Sequence, residues 1–380
     1  MQKLRFATLI DDMTIGGAEL MARVVALRID PERFERSIIL TRPGAIDDRE
    51  ELEAAGITLF ELDRRSKADV LEWRHLVRFL RRERIDVIHA HKFGSNVNAV
   101  VFGRLARVPV IISHEHTWSY EGGPMRRLLD RHLIGRLSDR VLTESPEDAR
   151  RMAELEGLDP ARIQVVPIAP WSYELHVGRG PSRDVRAELG LPGDAVVVRT
   201  IAVLRPQKAL HMLVEAAARL VPEYPRLHVL IGGEGEERPA LERLIAEKGL
   251  GERMRILGRF APSEVPDFLS ALDIAINCSD FEGTPGAVLE AMAASLPLVA
   301  TRVGGVPRLV EDGVTGILIE RGDADALTDG IRRLLDDPVL RRRMGEAGKA
   351  RQLEHYDVRN LVGMLEELYT RLYRERTAGR

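Results

Sequence analysis

The chain reads IAINCSDFEGTPGAVLEAMAASLPLVAT at residues 274–301, and this stretch decides the fold class. The apolar run at 274–277 predicts a buried strand, and the apolar residues of 288–294 predict a helix. Glycine and proline lie in the loop between them, as is typical of a turn from strand to helix. A second apolar run at 298–301 predicts another strand. A strand, a helix and a strand in this order predict a βαβ unit with parallel strands.

Short apolar runs alternate with helical patterns through most of the remaining chain. Strands are predicted at 4–10, 37–41, 87–90, 108–113, 141–144, 164–167, 196–203, 227–231 and 254–257. Helices are predicted at 18–27, 70–84, 96–106, 210–221, 238–248 and 265–271. This alternation is typical of a parallel sheet that helices cover on both faces.

The alternation stops in a segment at 170–195, where prolines and glycines are frequent and apolar periodicity is weak. One short helix is predicted within it, at 182–189, with Ser182 as its N-cap. We therefore predict an α/β fold of two doubly wound domains, at 1–169 and 196–355, with the segment between them as a linker. Such sheets bind ligands beyond the carboxyl ends of their strands.

The composition excludes several classes of protein. The 380 residues are 44% hydrophobic and 30% charged, which excludes global disorder, a collagen-like chain and a coiled-coil rod. The 56 basic and 59 acidic side chains leave a net charge of −3, which argues against a nucleic-acid partner. The single cysteine, Cys278, cannot form an internal disulfide, which fits a reducing compartment. We find neither a signal peptide nor a membrane-spanning run, so a cytoplasmic location is expected.

The loop and helix at 280–293 combine three features that suit a nucleotide sugar. Glu282 lies in the loop beside a glycine, where a ligand can approach the backbone. Gly286 and Ala287 offer free N–H groups at a helix N-terminus, which favour a phosphate. Glu290, about one turn further along, can accept hydrogen bonds from two vicinal hydroxyls. The alternative for either glutamate alone is a solvated or helix-capping side chain.

The spacing of Glu282 and Glu290 resembles the Glu-x7-Glu motif of retaining glycosyltransferases, in the version of glycosyltransferase family 4. The resemblance continues, in the same order as in that family, through most of 4–330. The other matching segments are GGAE at 16–19, DVIHAH at 86–91, VIISHEH at 110–116, LRPQK at 204–208, IGGEG at 231–235, TRVGGVP at 301–307 and GVTGILI at 313–319.

This resemblance implies the GT-B architecture, in which two Rossmann-like domains face a central cleft. A C-terminal helix, here expected within 356–380, returns to the first domain in that architecture. The second domain binds the nucleotide-diphosphate sugar, which is a co-substrate. On the matching positions, the residues implied to be catalytic are Arg205, Lys208, Glu282 and His116. Those implied to bind the nucleotide sugar are Gly16, Gly17, Gly258, Arg259, Phe260, Gly283, Thr284, Gly286, Ala287 and Glu290.

The resemblance also implies a task for several of these residues. Glu290 would hold the ribose hydroxyls and Glu282 would contact the donor sugar, while backbone at 258–260 would read the base. Arg205 and Lys208 would neutralise the leaving diphosphate, because charge develops there as the bond to the anomeric carbon breaks. With these cations in place the family needs no divalent metal, so we expect neither a metal site nor a cofactor.

The chain departs from the family pattern at three places. Many members carry an arginine five residues before the lysine, where this chain has Val203, and we expect Arg205 to take over. Ala209 stands where a glycine usually follows the lysine. An Asn-Gly pair often found after the last strand of the first domain is absent at 167–169. Because both glutamates and Lys208 remain, we expect an active enzyme.

Four histidines stand in i, i+2 pairs on two predicted strands, so each pair shares one strand face. They are His89, His91, His114 and His116. Structural roles and a zinc site are the two hypotheses, and no cysteine or acidic ligand at a convincing spacing favours zinc. His116 matches the family histidine whose backbone or ring contacts the donor sugar.

A basic amphipathic segment at 124–137 lies in the half of the chain expected to bind the acceptor. Five arginines and two aspartates stand between residues 125 and 140. An anionic membrane surface or a lipid-linked acceptor would attract this segment, which favours a peripheral position at the inner face of a membrane. The alternative is a packed helix with a solvated basic face. Trp118, Tyr120 and Trp171 are candidates for lining the acceptor site.

We expect a retaining, metal-independent glycosyltransferase that moves a sugar from a UDP- or GDP-linked donor to a glycan or lipid-linked acceptor. Its expected setting is the synthesis of bacterial cell-surface polysaccharide or glycolipid. The alternatives are a GT-B sugar-nucleotide epimerase, a phosphorylase and, from another class, a two-domain ligand-binding protein. A dinucleotide oxidoreductase is disfavoured because no Gly-x-Gly-x-x-Gly follows a predicted strand.

Overall fold

A computed structural model describes residues 3–13, 16–44, 46, 49–64, 69, 72–116, 123–170, 183–261 and 264–378. The chain forms two compact units. The first consists of Met1–Ile168 together with Val358–Arg380, and the second consists of Ala169–Asp357. Over the described ranges, no helix combines the length and the apolar character that crossing a membrane requires.

The first unit is built on a sheet of parallel strands. They are β1 (Leu4–Ile10), β2 (Phe34–Leu40), β3 (Thr58–Glu61), β4 (Val87–His91), β5 (Val110–Glu115), β6 (Arg140–Thr143) and β7 (Ile163–Val165), in the order β3-β2-β1-β4-β5-β6-β7. The α-helices of Met1–Ile168 are Gly17–Arg28, Arg49–Ala54, Trp73–Arg82, Phe93–Asn98, Arg104–Ala106, Pro124–Leu129, Gly135–Leu137 and Pro146–Arg151. Short π-helical turns continue three of them, at Ala99–Gly103, Asp130–Ile134 and Met152–Glu156. This strand order is that of a Rossmann-like sheet.

The second unit repeats the architecture. Its parallel strands are β8 (Val196–Ile201), β9 (Leu227–Gly232), β10 (Met254–Gly258), β11 (Ile274–Asn277), β12 (Leu298–Thr301) and β13 (Gly316–Ile319), in the order β10-β9-β8-β11-β12-β13. Its α-helices are Val185–Glu188, His211–Leu220, Arg238–Glu247, Val265–Ser270, Gly286–Ala293, Val306–Leu309, Ala324–Asp336 and Pro338–His355. Every residue of β9 and of β11 is buried, so helices cover both faces of this sheet. The predicted fold class of two Rossmann-like α/β units is therefore confirmed.

The helix Val358–Thr377 belongs to the first unit although it ends the chain. Its fully buried Tyr369 stacks on Phe6 at 5.1 Å between ring centroids. The Tyr369 hydroxyl lies 2.7 Å from Nδ1 of His89, on the neighbouring strand β4. Glu366 accepts a hydrogen bond from Arg33 at 2.5 Å. The apolar side of this amphipathic helix therefore packs on the first sheet.

Several elements differ from the sequence-based expectations. The strand Thr58–Glu61 and the helix Arg49–Ala54 were not predicted, because an edge strand of four residues and a helix of six have too few apolar positions to show a period. The linker helix is Val185–Glu188, and its N-cap is Asp184, which accepts from the amide of Ala187. The predicted cap Ser182 lies outside the described residues, as do Trp118, Tyr120 and Trp171.

Candidate functional site

The carboxylate of Glu282 accepts hydrogen bonds from polar side chains at or beyond the carboxyl ends of β8 and β11. Its Oε1 accepts hydrogen bonds from Lys208 Nζ at 2.6 Å, Ser279 Oγ at 2.6 Å and Asn277 Nδ2 at 3.2 Å. Glu282 is only 6% exposed. Burial of a carboxylate is costly unless it is paired and hydrogen-bonded, and this one is both. Two of the four residues expected to be catalytic, Lys208 and Glu282, therefore form an ion pair.

Backbone contacts hold the loop that carries Glu282. The amide of Asp280 donates to the carbonyl of Gln207 at 2.8 Å, and the Gln207 side chain donates to the carbonyl of Phe281 at 3.0 Å. From the other side, Gly305 donates its amide to the carbonyl of Gly283 at 2.7 Å. Gly304, at φ 50°, approaches so closely that an added Cβ would lie 1.7 Å from the carbonyl oxygen of Glu282. The segment TRVGGVP at 301–307 therefore packs against the backbone of this loop and holds it in place.

The helix Gly286–Ala293 begins next to this ion pair. Its N-cap is Pro285, which makes no side-chain capping hydrogen bond. At Gly283 and Gly286, an added Cβ would meet no described atom within 4 Å. Packing therefore does not require glycine at either position. The side chain of Glu290 lies in the second turn of this helix and is 9% exposed.

The glycine-rich turn after β9 packs against the turn after β8. Added Cβ atoms at Gly233 and Gly235 would lie 1.8 Å and 2.3 Å from the carbonyl oxygens of Ala202 and Leu204. The IGGEG turn is thereby pressed against the backbone of the LRPQK turn, which carries Lys208. Side chains at these two glycines would push the turns apart.

The segment after β10 contains the three residues expected near the base. Gly258 has a φ of 83°, which favours glycine, and its carbonyl accepts from the amide of Gly233 at 2.6 Å. Arg259 is exposed. The ring of Phe260 lies against Gly232, where an added Cβ would be 2.9 Å from its Cε2. Thr284, in the loop before the helix Gly286–Ala293, accepts a hydrogen bond at 3.4 Å from Arg308 of the short helix Val306–Leu309.

The positions that depart from the family pattern have distinct environments. Arg205 precedes the 3-10 turn Pro206–Lys208 and is exposed, as is Val203. Ala209 has a φ of 46°, in the left-handed region that favours glycine. Ala209 therefore has a backbone conformation that glycine adopts more readily than alanine. Arg205 and Lys208 lie on the same turn, but only Lys208 reaches Glu282 among the described contacts.

The glycine pair of the first unit opens the helix Gly17–Arg28. An added Cβ at Gly16 would lie 2.3 Å from Oε2 of Glu19, because this carboxylate folds back over the loop. Glu19 is 4% exposed and is paired with Lys92. An added Cβ at Gly17 meets no described atom within 4 Å. The described atoms nearest to Gly16 belong to a movable side chain, so packing requires glycine at neither position.

The four histidines form a buried cluster at the carboxyl ends of β4 and β5. His89 Nε2 lies 3.1 Å from His114 Nδ1, and His91 Nδ1 lies 2.9 Å from His116 Nε2. His116 Nδ1 also lies 2.9 Å from a carboxylate oxygen of Glu144. Both ring nitrogens of His116 are therefore engaged within the first unit.

Burial controls the charge of this cluster. It lowers the pKa of His116 to about 3, with a smaller contribution from the charge of Lys92. Burial likewise holds the pKa of His89, His91 and His114 well below the usual range, so all four rings are neutral at pH 7.

Neutral rings are the form that binds metals, and ring nitrogens of His89, His91 and His114 lie within 4.8 Å of one another. The Nε2 atoms of His91 and His114 have no partner among the described residues. However, both ring nitrogens of His89 are already engaged, Nδ1 with the Tyr369 hydroxyl and Nε2 with Nδ1 of His114.

In the basic segment at 124–137, Arg126 makes its contacts within the first unit, so fewer arginines face solvent than the sequence suggested. Arg126 lies 3.4 Å from Glu115 and 3.6 Å from Asp130, and its guanidinium stacks on Phe93 at 4.8 Å from the ring centroid. Burial raises the pKa of Glu115 to about 8, and the nearby Arg126 charge lowers it in part. Arg126 therefore serves the interior of the first unit.

Comparisons with known proteins decide the family. The family described as glycosyl transferases group 1 matches residues 181–351, and glycosyltransferase family 4 matches residues 15–169. The alpha-D-kanosaminyltransferase of Streptomyces kanamyceticus is 30% identical over 70% of this chain and 72% of its own length. The D-inositol 3-phosphate glycosyltransferase of Nocardia farcinica is 32% identical over 76% of this chain and 67% of its own length. The chain belongs to the family 4 glycosyltransferases.

Solved structures agree with this fold. Anabaena HepE, solved with UDP, has a TM-score of 0.79 and 21% identity, covering 97% of this chain and 100% of that one. Sucrose-phosphate synthase from Thermosynechococcus elongatus has a TM-score of 0.75 and 19% identity, covering 98% and 99% of the two chains. The glycosyltransferase therefore has the GT-B fold that the resemblance implied.

Sequence reasoning missed several residues that shape the site of this glycosyltransferase. Ser279 and Asn277 hold Glu282, and Gly304 supports its backbone. Ser279 and Asn277 lie three and five residues before Glu282 in the sequence. No sequence pattern, however, indicates that their side chains donate to one oxygen of its carboxylate. Arg199, buried on β8, lay within a segment predicted only as an apolar strand.

Replacing Gly304 with alanine should destabilise the glycosyltransferase by about 3 kcal/mol, because the methyl group overlaps the Glu282 carbonyl and the left-handed backbone disfavours alanine. Activity should fall as well, since the loop carrying Glu282 must shift. Gly313→Ala is the matched control, with a φ of 76° and no described atom within 4 Å of an added Cβ. It should cost only about 1 kcal/mol. Equal losses in chemical denaturation would contradict the support role of Gly304.

Proposed function

We propose that this glycosyltransferase moves a sugar, with retention of the anomeric configuration, from a UDP- or GDP-linked donor to a glycan or lipid-linked acceptor. The proposed setting is bacterial cell-surface polysaccharide or glycolipid synthesis. One observation carries the donor assignment. An ion pair between the half-buried Lys208 and the buried Glu282 lies next to the start of a helix whose N-cap, Pro285, makes no side-chain capping hydrogen bond.

This arrangement suits a diphosphate flanked by a sugar. The helix N-terminus offers N–H groups and a partial positive charge, which favour a phosphate. Gly283 and Gly286 have open space where side chains would be, so a ligand can approach their backbone. With donor bound, Lys208 would turn from Glu282 toward the diphosphate, leaving the carboxylate for sugar hydroxyls. Glu290 would accept hydrogen bonds from the ribose.

Charge also supports the proposed reaction without a divalent metal. As the bond between the anomeric carbon and the diphosphate lengthens, negative charge grows on the leaving oxygen. Lys208, Arg205 and the helix N-terminus provide positive charge for that oxygen. A donor of the UDP class is consistent with Anabaena HepE, a structural neighbour solved with UDP-glucose.

The deciding experiment screens nucleotide diphosphates and their sugars by thermal shift, with and without EDTA. The matching donor should raise the melting temperature more than other bases at equal concentration, since stabilisation follows the ratio of concentration to Kd. Turnover with that donor should be unchanged by EDTA. Loss of turnover that a divalent ion restores would overturn metal independence and return attention to His89, His91 and His114.

Product analysis separates the alternatives. Transfer to an added acceptor with an unchanged anomer supports the proposal, whereas inversion contradicts retention. A new nucleotide sugar formed from donor alone would indicate an epimerase, and a requirement for phosphate would indicate a phosphorylase. Sugar binding without any turnover would indicate a ligand-binding protein.

Replacing Lys208 with alanine should lower kcat by about 100-fold or more, the scale for losing a group that stabilises charge in the transition state. Arg205→Ala should have a similar effect if this exposed arginine takes over from the family arginine absent at Val203. The control is Arg226→Ala, whose side chain is 70% exposed and pairs with Asp194 at the opposite end of the sheet. Wild-type kcat for Arg205→Ala would show that another cation serves the diphosphate.

We further propose that the acceptor lies at an anionic membrane surface, with the enzyme peripheral at the inner face. The segment Pro124–Leu129 exposes Met125 and Leu128, which are 67% and 53% exposed. Arg127 of this helix and Arg131 of the π-helical turn that continues it are also exposed. Apolar side chains beside arginines are typical of helices that lie on anionic lipid.

Replacing Arg127 and Arg131 together with glutamine should reduce co-sedimentation with anionic vesicles at low salt. The attraction should weaken as salt rises, because screening acts within about 8–10 Å at physiological ionic strength. Arg74→Gln with Arg78→Gln removes the same charge from exposed positions on the helix Trp73–Arg82 and should bind like wild type. Absence of vesicle binding by the wild type at low salt would contradict this proposal.

A further inference from the structure

Arg199 is a buried arginine in the middle of the inner strand β8. It is 2% exposed and pairs in register with Leu230 of β9 and Ala275 of β11. Val198, the preceding residue, points to the opposite face and belongs to the main apolar cluster of this unit. A charge in this position is costly, since burial of an ion is unfavourable unless other groups compensate it.

One side of the Arg199 guanidinium is covered by an aromatic pair. Its Cζ lies 4.8 Å from the ring centroid of Phe268, within the range of a cation–π contact. Phe268 in turn stacks on Phe260 with 4.3 Å between ring centroids. Phe260 presses against Gly232 at the end of β9. The stack therefore connects Arg199 to the segment Gly258–Phe260.

The other neighbour of Arg199 is the helix Gly286–Ala293. Arg199 lines one small cavity together with Ala287, Val288 and Ala291 of that helix. Burial lowers the pKa of Arg199 to about 9, and the negative charge of Glu290 opposes this lowering. The guanidinium therefore stays charged at pH 7 and attracts the carboxylate of Glu290.

We propose that Arg199 is a positioning residue of the nucleotide site, which aligns the Glu290 carboxylate by charge and the Gly258–Phe260 segment through the Phe268 stack. The proposal rests on the proposed function, in which Glu290 binds the ribose and the segment after β10 binds the base. One buried cation would then hold Glu290, which binds the ribose, and the segment Gly258–Phe260, which binds the base, in a fixed relative position. A purely structural residue at this strand position would be apolar, like its neighbour Val198.

The Nε atom of Arg199 supports this assignment. It is buried and has no hydrogen-bond partner among the described residues. An arginine selected only to satisfy the core would be expected to use its donors, because an unpaired buried donor is unfavourable. The planar face and the charge are instead the parts of this side chain that its neighbours use.

The test compares Arg199→Met with the wild type. Methionine fills a similar volume without charge, so the fold should tolerate it. We expect KM for the donor to rise about tenfold while kcat at saturating donor changes little, as for a lost ground-state contact. Amide hydrogen exchange in the ligand-free protein should become faster at 258–261 and at 286–291.

Two further variants separate the two connections. Arg199→Lys keeps the charge but loses the flat surface that stacks on Phe268, so exchange should become faster at 258–261 only. In a double-mutant cycle with Glu290→Gln, the losses of nucleotide affinity should be less than additive, since both changes disable one contact.

Arg186→Met is the matched control. Arg186 binds Asp273 at 2.7 Å and the carbonyls of Ala195 and Ala271, at the opposite end of β8. It should lower the melting temperature without changing KM for the donor. Arg199→Met with the same pattern as this control would overturn the proposal and leave Arg199 a structural residue.

Failure of the proposed function is distinguishable from failure of this inference. If the wild type binds no nucleotide diphosphate in calorimetry, the proposed donor site is wrong, and so is the assignment of Arg199 to it. If the wild type binds nucleotide but Arg199→Met changes neither KM nor exchange at the two segments, only the positioning role is overturned.

Discussion

The ion pair between Lys208 and Glu282 is the contact on which the loops at the carboxyl ends of the second unit's strands depend. Lys208 comes from the turn after β8 and Glu282 from the loop after β11, so the pair connects the ends of two neighbouring strands. Because the carboxylate is buried, it needs every donor it has, including Ser279 and Asn277. In the protein without ligand, Lys208 and Glu282 neutralise each other's charge. In the proposed function, a bound nucleotide sugar would separate the two groups.

Close approach between backbones explains the glycines around this pair. Gly233 and Gly235 let the turn after β9 press on the turn that carries Lys208, and Gly304 lets the loop after β12 press on Glu282. Gly283 and Gly286 differ, since nothing described would meet their side chains. The first group serves packing within the protein, and the second leaves room for a ligand. The same residue type thus has two physical reasons within one site.

The two units use buried charge in different ways. In the first unit, burial keeps the histidine cluster neutral and joins it in pairs across β4 and β5, with Tyr369 of the last helix bonded to His89. In the second unit, the buried ionisable groups include Arg199, Glu282 and Glu290, and Lys208 pairs with Glu282. Burial thus leaves the histidines of the first unit neutral, whereas in the second unit a cation and a carboxylate form an ion pair.

The sequence by itself determined the two α/β units, because alternating apolar runs report which chain segments are strands and helices. It also determined that Lys208, Glu282 and Glu290 stand at strand ends and helix starts, since parallel strands place those positions at one edge of a sheet. The tertiary structure alone decided that Lys208 pairs with Glu282, that Arg126 points inward, and that Arg199 lies between Phe268 and the helix of Glu290. Periodicity along a chain gives the face on which a side chain lies, but the partner across that face comes from a segment tens of residues away, so only the folded chain defines it.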